Sequence, residues 1–142
     1  MPIMTAAMLE QFNRDTFPQI GHMNLKVEHV DDDSIIISMR TADRHLRPGG
    51  TVSGPTMMEL ADAAMYMLLL AQIGPVALAV TTSLNINFLR KPVPGKMTAK
   101  GRLLKLGKAL AVGEFGLFSE ASDDPVAHVT ATYSIPPKRD GA

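Results

Sequence analysis

Cysteine and tryptophan are absent from this 142-residue sequence, and two tyrosines and five phenylalanines supply all its aromatic surface. The lack of cysteine excludes disulfides, thiol nucleophiles and thiolate metal sites together. Histidine is scarce as well: His22, His29, His45 and His128 stand apart and never fall at a metal-ligand spacing such as HxxxH. No charge sign is in excess, since fourteen basic and fourteen acidic side chains cancel. That balance removes the bulk electrostatic case for nucleic acid or an anionic membrane as partner. The opening MPIMTAAMLEQFNRD has no basic stretch followed by an apolar block, so no secretory signal is expected there and the location is expected to be cytoplasmic. With 46% hydrophobic and 20% charged residues, the chain is long enough for one globular domain, residues 1–142, with a real core.

What the sequence does have is concentrated between Gly49 and Ala71, GGTVSGPTMMELADAAMYMLLLA. A glycine-rich turn leads into about five helical turns that are apolar on nearly every side. Such a helix belongs inside a domain. Glu59, Asp62 and Tyr66 interrupt it at offsets of three, four and seven, so they share one face. A carboxylate in those surroundings carries a desolvation cost unless it is paired or solvated. Asp62, two to three turns in, is therefore a candidate catalytic group; the plainer alternative is an aspartate that caps backbone or pairs with Arg47 or Tyr66. Crossed by two acids and followed by Gly74-Pro75, the segment is expected to be too short and too acidic to cross a bilayer.

Thr5 to Arg14 carries Met8, Leu9 and Phe12 at helical spacing, with Thr5 as a cap, inside a helical N-terminal segment over 1–20. Asn24 to Val30 and Ser34 to Arg40 alternate around a DDDS turn and predict a hairpin. Four strand-like runs follow the helix: Ala77 to Leu89, Lys96 to Leu106, Ala109 to Ser119 and Val126 to Ile135, predicted as a meander before a frayed tail at 136–142. Leu84, Ile86 and Phe88 are expected on the helix, with Ser83, Asn85 and Asn87 on the other face. One apolar helix with about six strands implies an α+β fold, an antiparallel sheet wrapped around the helix.

Three segments, HLRPGGTVSGP followed by ELADAAM, AVTTSLNINFLRKPVPG, and LLKLGKALAV, resemble the hotdog-fold acyl-CoA thioesterases of the PaaI-like branch, from about Asn24 to Ile135. The family loop typically reads H-x-N-P-x-G-x-x-H-G-G, with a carboxylate eight residues after the first glycine of H-G-G. Gly54 and Asp62 have that spacing. The loop departs from the pattern at three places: Arg47 replaces the asparagine, Ser53 the histidine and Pro55 the second glycine.

The resemblance implies hydrolysis of an acyl-CoA to acid and CoA, with Asp62 as general base or nucleophile and the Gly54 N–H at the helix start binding the oxyanion. No metal or separate cofactor is implied, CoA being part of the substrate. Pro55 suits the first helical turn but deletes one amide donor. Ser53 is read as a helix cap, or as a hydrogen-bond donor to the thioester. Thr81 matches a hydroxyl position near the attacking water in relatives. Arg47 is a candidate ligand for a carboxylate, either Asp62 or one on the substrate. Glu59, one turn before Asp62, is an alternative acting carboxylate or, with Pro55 and Tyr66, a substrate contact. Arg90, Lys91 and Lys108 are candidate phosphate ligands at strand ends. Met57, Met58, Met65 and Met67 are core first, and adaptable lining for an acyl tunnel second. A homodimer or a dimer of dimers is implied, with Ala77 to Leu89 pairing across a two-fold axis and Asn85 and Asn87 free for a back-to-back contact. Two other functions compete. Enoyl-CoA hydration is disfavoured by Ser53 in the histidine position; an acyl-CoA-binding module with weakened catalysis is suggested by the three loop substitutions.

Overall fold

The computed structural model describes residues 2–120 and 122–137; the tail expected at 136–142 lies outside them from residue 138 onward. Helix α1 spans Ala6–Thr16, capped as predicted by Thr5, whose Oγ1 accepts the Met8 N–H at 3.2 Å. Phe17 ends it, and a short 3-10 helix, Pro18–Met23, extends the helical segment past its expected limit at residue 20. Strands β1 (Lys26–Val30) and β2 (Ser34–Arg40) form the expected hairpin. Its DDDS turn is held by Asp31, which accepts from the N–H and Oγ of Ser34 at 2.9 and 2.7 Å. Helix α2 covers Gly54–Ile73, and β3 (Val80–Phe88), β4 (Lys96–Leu106), β5 (Leu110–Ser119) and β6 (Ala127–Ser134) complete the chain.

All six strands join one antiparallel sheet in the order β1-β2-β4-β5-β6-β3. The four-strand meander is therefore corrected: β4, β5 and β6 are a meander, while β3 pairs with β6 at the far edge and β2 fills the place beside β4. The cause is local. KPVPG between β3 and β4 holds two prolines without N–H groups, which suit a crossing segment and not a tight hairpin.

The sheet wraps α2 because its inner face is lined with small residues: Ala99 and Gly101 on β4, Ala111 and Gly113 on β5, Ala127 and Ala131 on β6. A Cβ on Gly113 would stand 2.7 Å from the Met65 sulfur, so the helix lies closer than even alanine permits. Met57, Leu60, Met65, Met67 and the run Leu68 to Leu70 are buried in return; Met58, grouped with the core methionines by sequence, is 40% exposed.

Helix α2 meets the length and mean hydropathy, 1.2, of a bilayer span, which corrects the expectation that it is too short and too acidic. What marks it as a core helix is burial, since 72% of that window lies inside the protein.

The sheet has two edges: β1, whose Val27 N–H is taken up by Glu10 of α1, and β3. Leu84 and Ile86 pack against the core as the alternation predicts, with Asn85 and Asn87 exposed on the opposite face. Phe88, expected with the first pair, is 50% exposed, its ring lying over the helix start at Gly54, and Leu78, Val80 and Leu89 are exposed as well.

Candidate active site

A break in strand pairing creates the site. In the β3–β6 ladder Leu84 pairs with Ala131 and Thr81 with Tyr133, with a register shift between Thr81 and Ser83. Regular alternation would turn Thr81 outward with Ser83; the extra residue turns it inward, toward α2. There Thr81 Oγ1 donates to Asp62 Oδ1 at 2.6 Å. Tyr133, directly across, donates to the same Oδ1 at 2.8 Å and to the Asp62 main-chain oxygen at 3.1 Å. Asp62 Oδ2 receives no hydrogen bond among the described residues. Asp62 is half-buried and Thr81 exposed, so the carboxylate sits at the helix–sheet seam beside the open edge.

Burial first, then the adjoining Asp62 charge, pushes the Tyr133 phenol far above its ordinary pKa. It stays neutral and donates. Tyr133 is the partner of Asp62 that motif reasoning missed. Its signal lay in the inward alternation of Val129, Ala131 and Tyr133, because a buried phenol must find an acceptor.

The partners weighed for Asp62 lie elsewhere. Tyr66 donates to the Ala77 carbonyl at 3.1 Å, with its ring beside that of Tyr133 and edge-on to Phe17. Arg47 is exposed on the loop, held by its main chain to Thr51. Glu59 is exposed and faces the Pro18–Met23 helix, where its carboxylate meets His22 Nε2 at 2.9 Å.

The loop before α2 is built around His45. Gly49 and Gly50 adopt φ of 100° and 78°, which glycine takes freely, so the chain doubles back to form the Leu46–Val52 bridge. The His45 carbonyl then accepts the Ser53 N–H at 2.8 Å, and its Nδ1 accepts the Ala42 N–H at 2.8 Å. Burial lowers the His45 pKa, with the Arg44 charge adding to it, and keeps the ring neutral.

Ser53 is the N-cap, its Oγ accepting the Thr56 N–H at 3.3 Å and lying 2.8 Å from Thr56 Oγ1. Met57 N–H goes to the Ser53 carbonyl, and Pro55 has no N–H. The Gly54 N–H is left without a protein partner among the described residues. It points from the positive end of the helix, an arrangement that binds an anion. Ser53→Ala should cost about 1 kcal/mol of stability, read as a fall of a few degrees in Tm that Ser53→Asp does not show.

Gly54 and Asp62 are eight residues apart on one helix, about 12 Å along its axis at 1.5 Å per residue. The candidate cations divide likewise. Arg90 and Lys91 adjoin the helix start, because the Pro92 carbonyl accepts the Val52 N–H at 3.3 Å; Arg90 Nη1 also donates to the Pro125 carbonyl at 2.6 Å. Lys108 lies at the other end of β3, beyond the Leu110–Ser134–Val80 row, about 26 Å away along the strand. Two concavities, of about 220 Å³ between α1 and the Pro18–Met23 helix and about 480 Å³ on the outer face near Phe118, are lined by neither Asp62 nor Gly54.

An antiparallel sheet wrapped on one long helix defines a hotdog-fold protein. The thioesterase superfamily model matches residues 49–126, and the chain belongs to that superfamily. A protein of Silicibacter sp., provisionally assigned as a thioesterase, is 45% identical over 96% of this chain and 95% of its own, with a TM-score of 0.88. A mutant of the phenylacetic acid degradation protein PaaI from Thermus thermophilus is 25% identical over 84% of this chain and 99% of its own, with a TM-score of 0.73. Zebra fish thioesterase superfamily member 2 shares the fold at a TM-score of 0.80, with 19% identity over 94% and 99% of the two chains. Among curated proteins none matches. Thioester hydrolysis is the activity class these relationships support.

Proposed function

We propose that the protein hydrolyses acyl-CoA thioesters at a site shared by two subunits, with Asp62 as general base. One observation carries this reading: both protein donors to the Asp62 carboxylate converge on Oδ1, leaving Oδ2 open beside an exposed strand edge. Water held by Oδ2 attacks the thioester carbon and gives its proton to the carboxylate. The carbonyl oxygen gains the negative charge and is met by the Gly54 N–H at a helix start. Collapse of the tetrahedral species breaks the C–S bond; the CoA thiolate leaves and takes up the proton, and the acid departs. Direct attack by Oδ2 is the covalent variant of the same chemistry.

A single subunit does not suffice. The attacking water must lie about 3 Å from both Asp62 Oδ2 and the thioester carbon, and the carbonyl oxygen about 3 Å from the oxyanion donor, whereas Gly54 and Asp62 of one helix are about 12 Å apart along its axis. Pairing β3 with its copy through the open edge would cover Leu78, Val80, Phe88 and Leu89 and bring the partner's Gly54 toward Asp62. The same pairing gathers Lys108 with the partner's Arg90 and Lys91 as ligands for the CoA phosphates. The polar outer face around Asn85 and Asn87 suits a dimer of dimers. No metal or separate cofactor is needed, and the cytoplasm is the location proposed.

Thiol release from a dozen CoA esters, from acetyl through phenylacetyl to long straight chains, tests the reading. Turnover of at least one at a rate far above its spontaneous hydrolysis is expected. Thermal stabilisation by CoA esters without thiol release would overturn it in favour of a binding protein.

A further inference from the structure

We infer that Tyr133 is a positioning residue that selects which oxygen of Asp62 reacts, an inference that rests on Asp62 being the base. A carboxylate oxygen offers two lone pairs. At Oδ1 both are engaged, by Thr81 at 2.6 Å and by Tyr133 at 2.8 Å. That oxygen is stabilised as an acceptor and cannot also hold a water. The two donors are cross-strand partners, Thr81 on β3 opposite Tyr133 on β6, so the carboxylate is gripped from two strands and its rotation about Cβ–Cγ is blocked. Oδ2 is left without a protein donor among the described residues.

Tyr133 does more than Thr81 in this grip. Its hydroxyl also bonds the Asp62 main-chain oxygen at 3.1 Å, so one rigid aromatic side chain sets the height of the helix against the sheet and the orientation of the carboxylate together. Only 3% of Tyr133 is exposed, which leaves water little chance to compete for the phenol. Small neighbours make room for it: Ala111 lies across on β5 and Ala131 two residues earlier on the same face. A tyrosine that merely filled core volume would not need its hydroxyl placed on two oxygens of one acidic residue.

The test is the steady-state kinetics and melting of Tyr133→Phe, with Thr81→Val, Thr81→Ser and Asp62→Asn beside it. For Tyr133→Phe, kcat should fall about tenfold to a hundredfold, the usual scale for a reacting group released from its alignment, while KM stays within about twofold. Thr81→Val should behave likewise and Thr81→Ser should recover the rate. Adding Tyr133→Phe to Asp62→Asn should cost nothing further. A Tyr133→Phe protein with a lower Tm but unchanged kcat would show a purely structural tyrosine and overturn the inference. If Tyr133→Phe does not fold, 3-fluorotyrosine serves instead. With only two tyrosines in the chain, labelling a Tyr66→Phe background alters Tyr133 alone; a several-fold change in kcat is expected, and none would overturn the inference. An active Asp62→Asn protein would sink the proposed function itself, whereas an inactive Asp62→Asn with a fully active Tyr133→Phe would sink only the role given to Tyr133.

Discussion

Asp62→Asn yields a folded protein whose thiol release from acyl-CoA is at least about a thousandfold slower, within the range set by loss of a general base. Asparagine keeps the shape of aspartate and one acceptor oxygen, so the hydroxyls of Thr81 and Tyr133 keep a partner. What disappears is the second oxygen: an amide nitrogen stands there, which donates and cannot take a proton from water. KM should change little, because the open oxygen acts on water and not on the acyl chain or the nucleotide. Tm should hold or rise, since a half-buried charge and its desolvation cost are removed. Unchanged turnover in this variant would contradict the reading outright.

Gly54→Val is expected to abolish turnover by a different route, with a loss of about a hundredfold or more, the scale for one oxyanion donor. The φ of Gly54 is not positive, so a side chain is tolerated by the backbone. A Cβ there would lie 3.4 Å from the Phe88 ring, and the branched methyls would stand over the one open amide of the helix start. The carbonyl oxygen could no longer reach that N–H. Circular dichroism should show the fold retained, and Gly54→Ala, with fewer atoms in the way, should lose less.

Much of this was legible in residue order. The apolar run after a glycine turn specified a core helix, and the alternation of β2 and β4 gave their limits to the residue. The resemblance picked out Gly54 and Asp62, the two groups that the proposed mechanism uses. Strand order was not legible, because nothing in β3 marks it as pairing with β6 in place of β4; the sheet closes on the helix through contacts far apart in sequence. Thr81 was named through the resemblance, but its bond to Asp62, and Tyr133 altogether, were hidden for a related reason. Thr81 faces inward only because of a register shift, which strict alternation does not foretell, and Tyr133 lies 71 residues from the group it holds. Tyr66, on the face that helical spacing shares with Asp62, finds a nearer acceptor at Ala77. Helical spacing identifies neighbours on a surface, but burial decides which way each side chain turns.

The most direct test of a shared site is to mix the two inactive variants. Asp62→Asn and Gly54→Val proteins are unfolded together, refolded and assayed for thiol release against the parents. Random pairing makes half the dimers mixed, each with one site holding an intact Asp62 and the partner's intact Gly54, so about a quarter of wild-type activity should return. A mixture no more active than its parents, although mixed dimers have formed, would contradict a site built across two subunits.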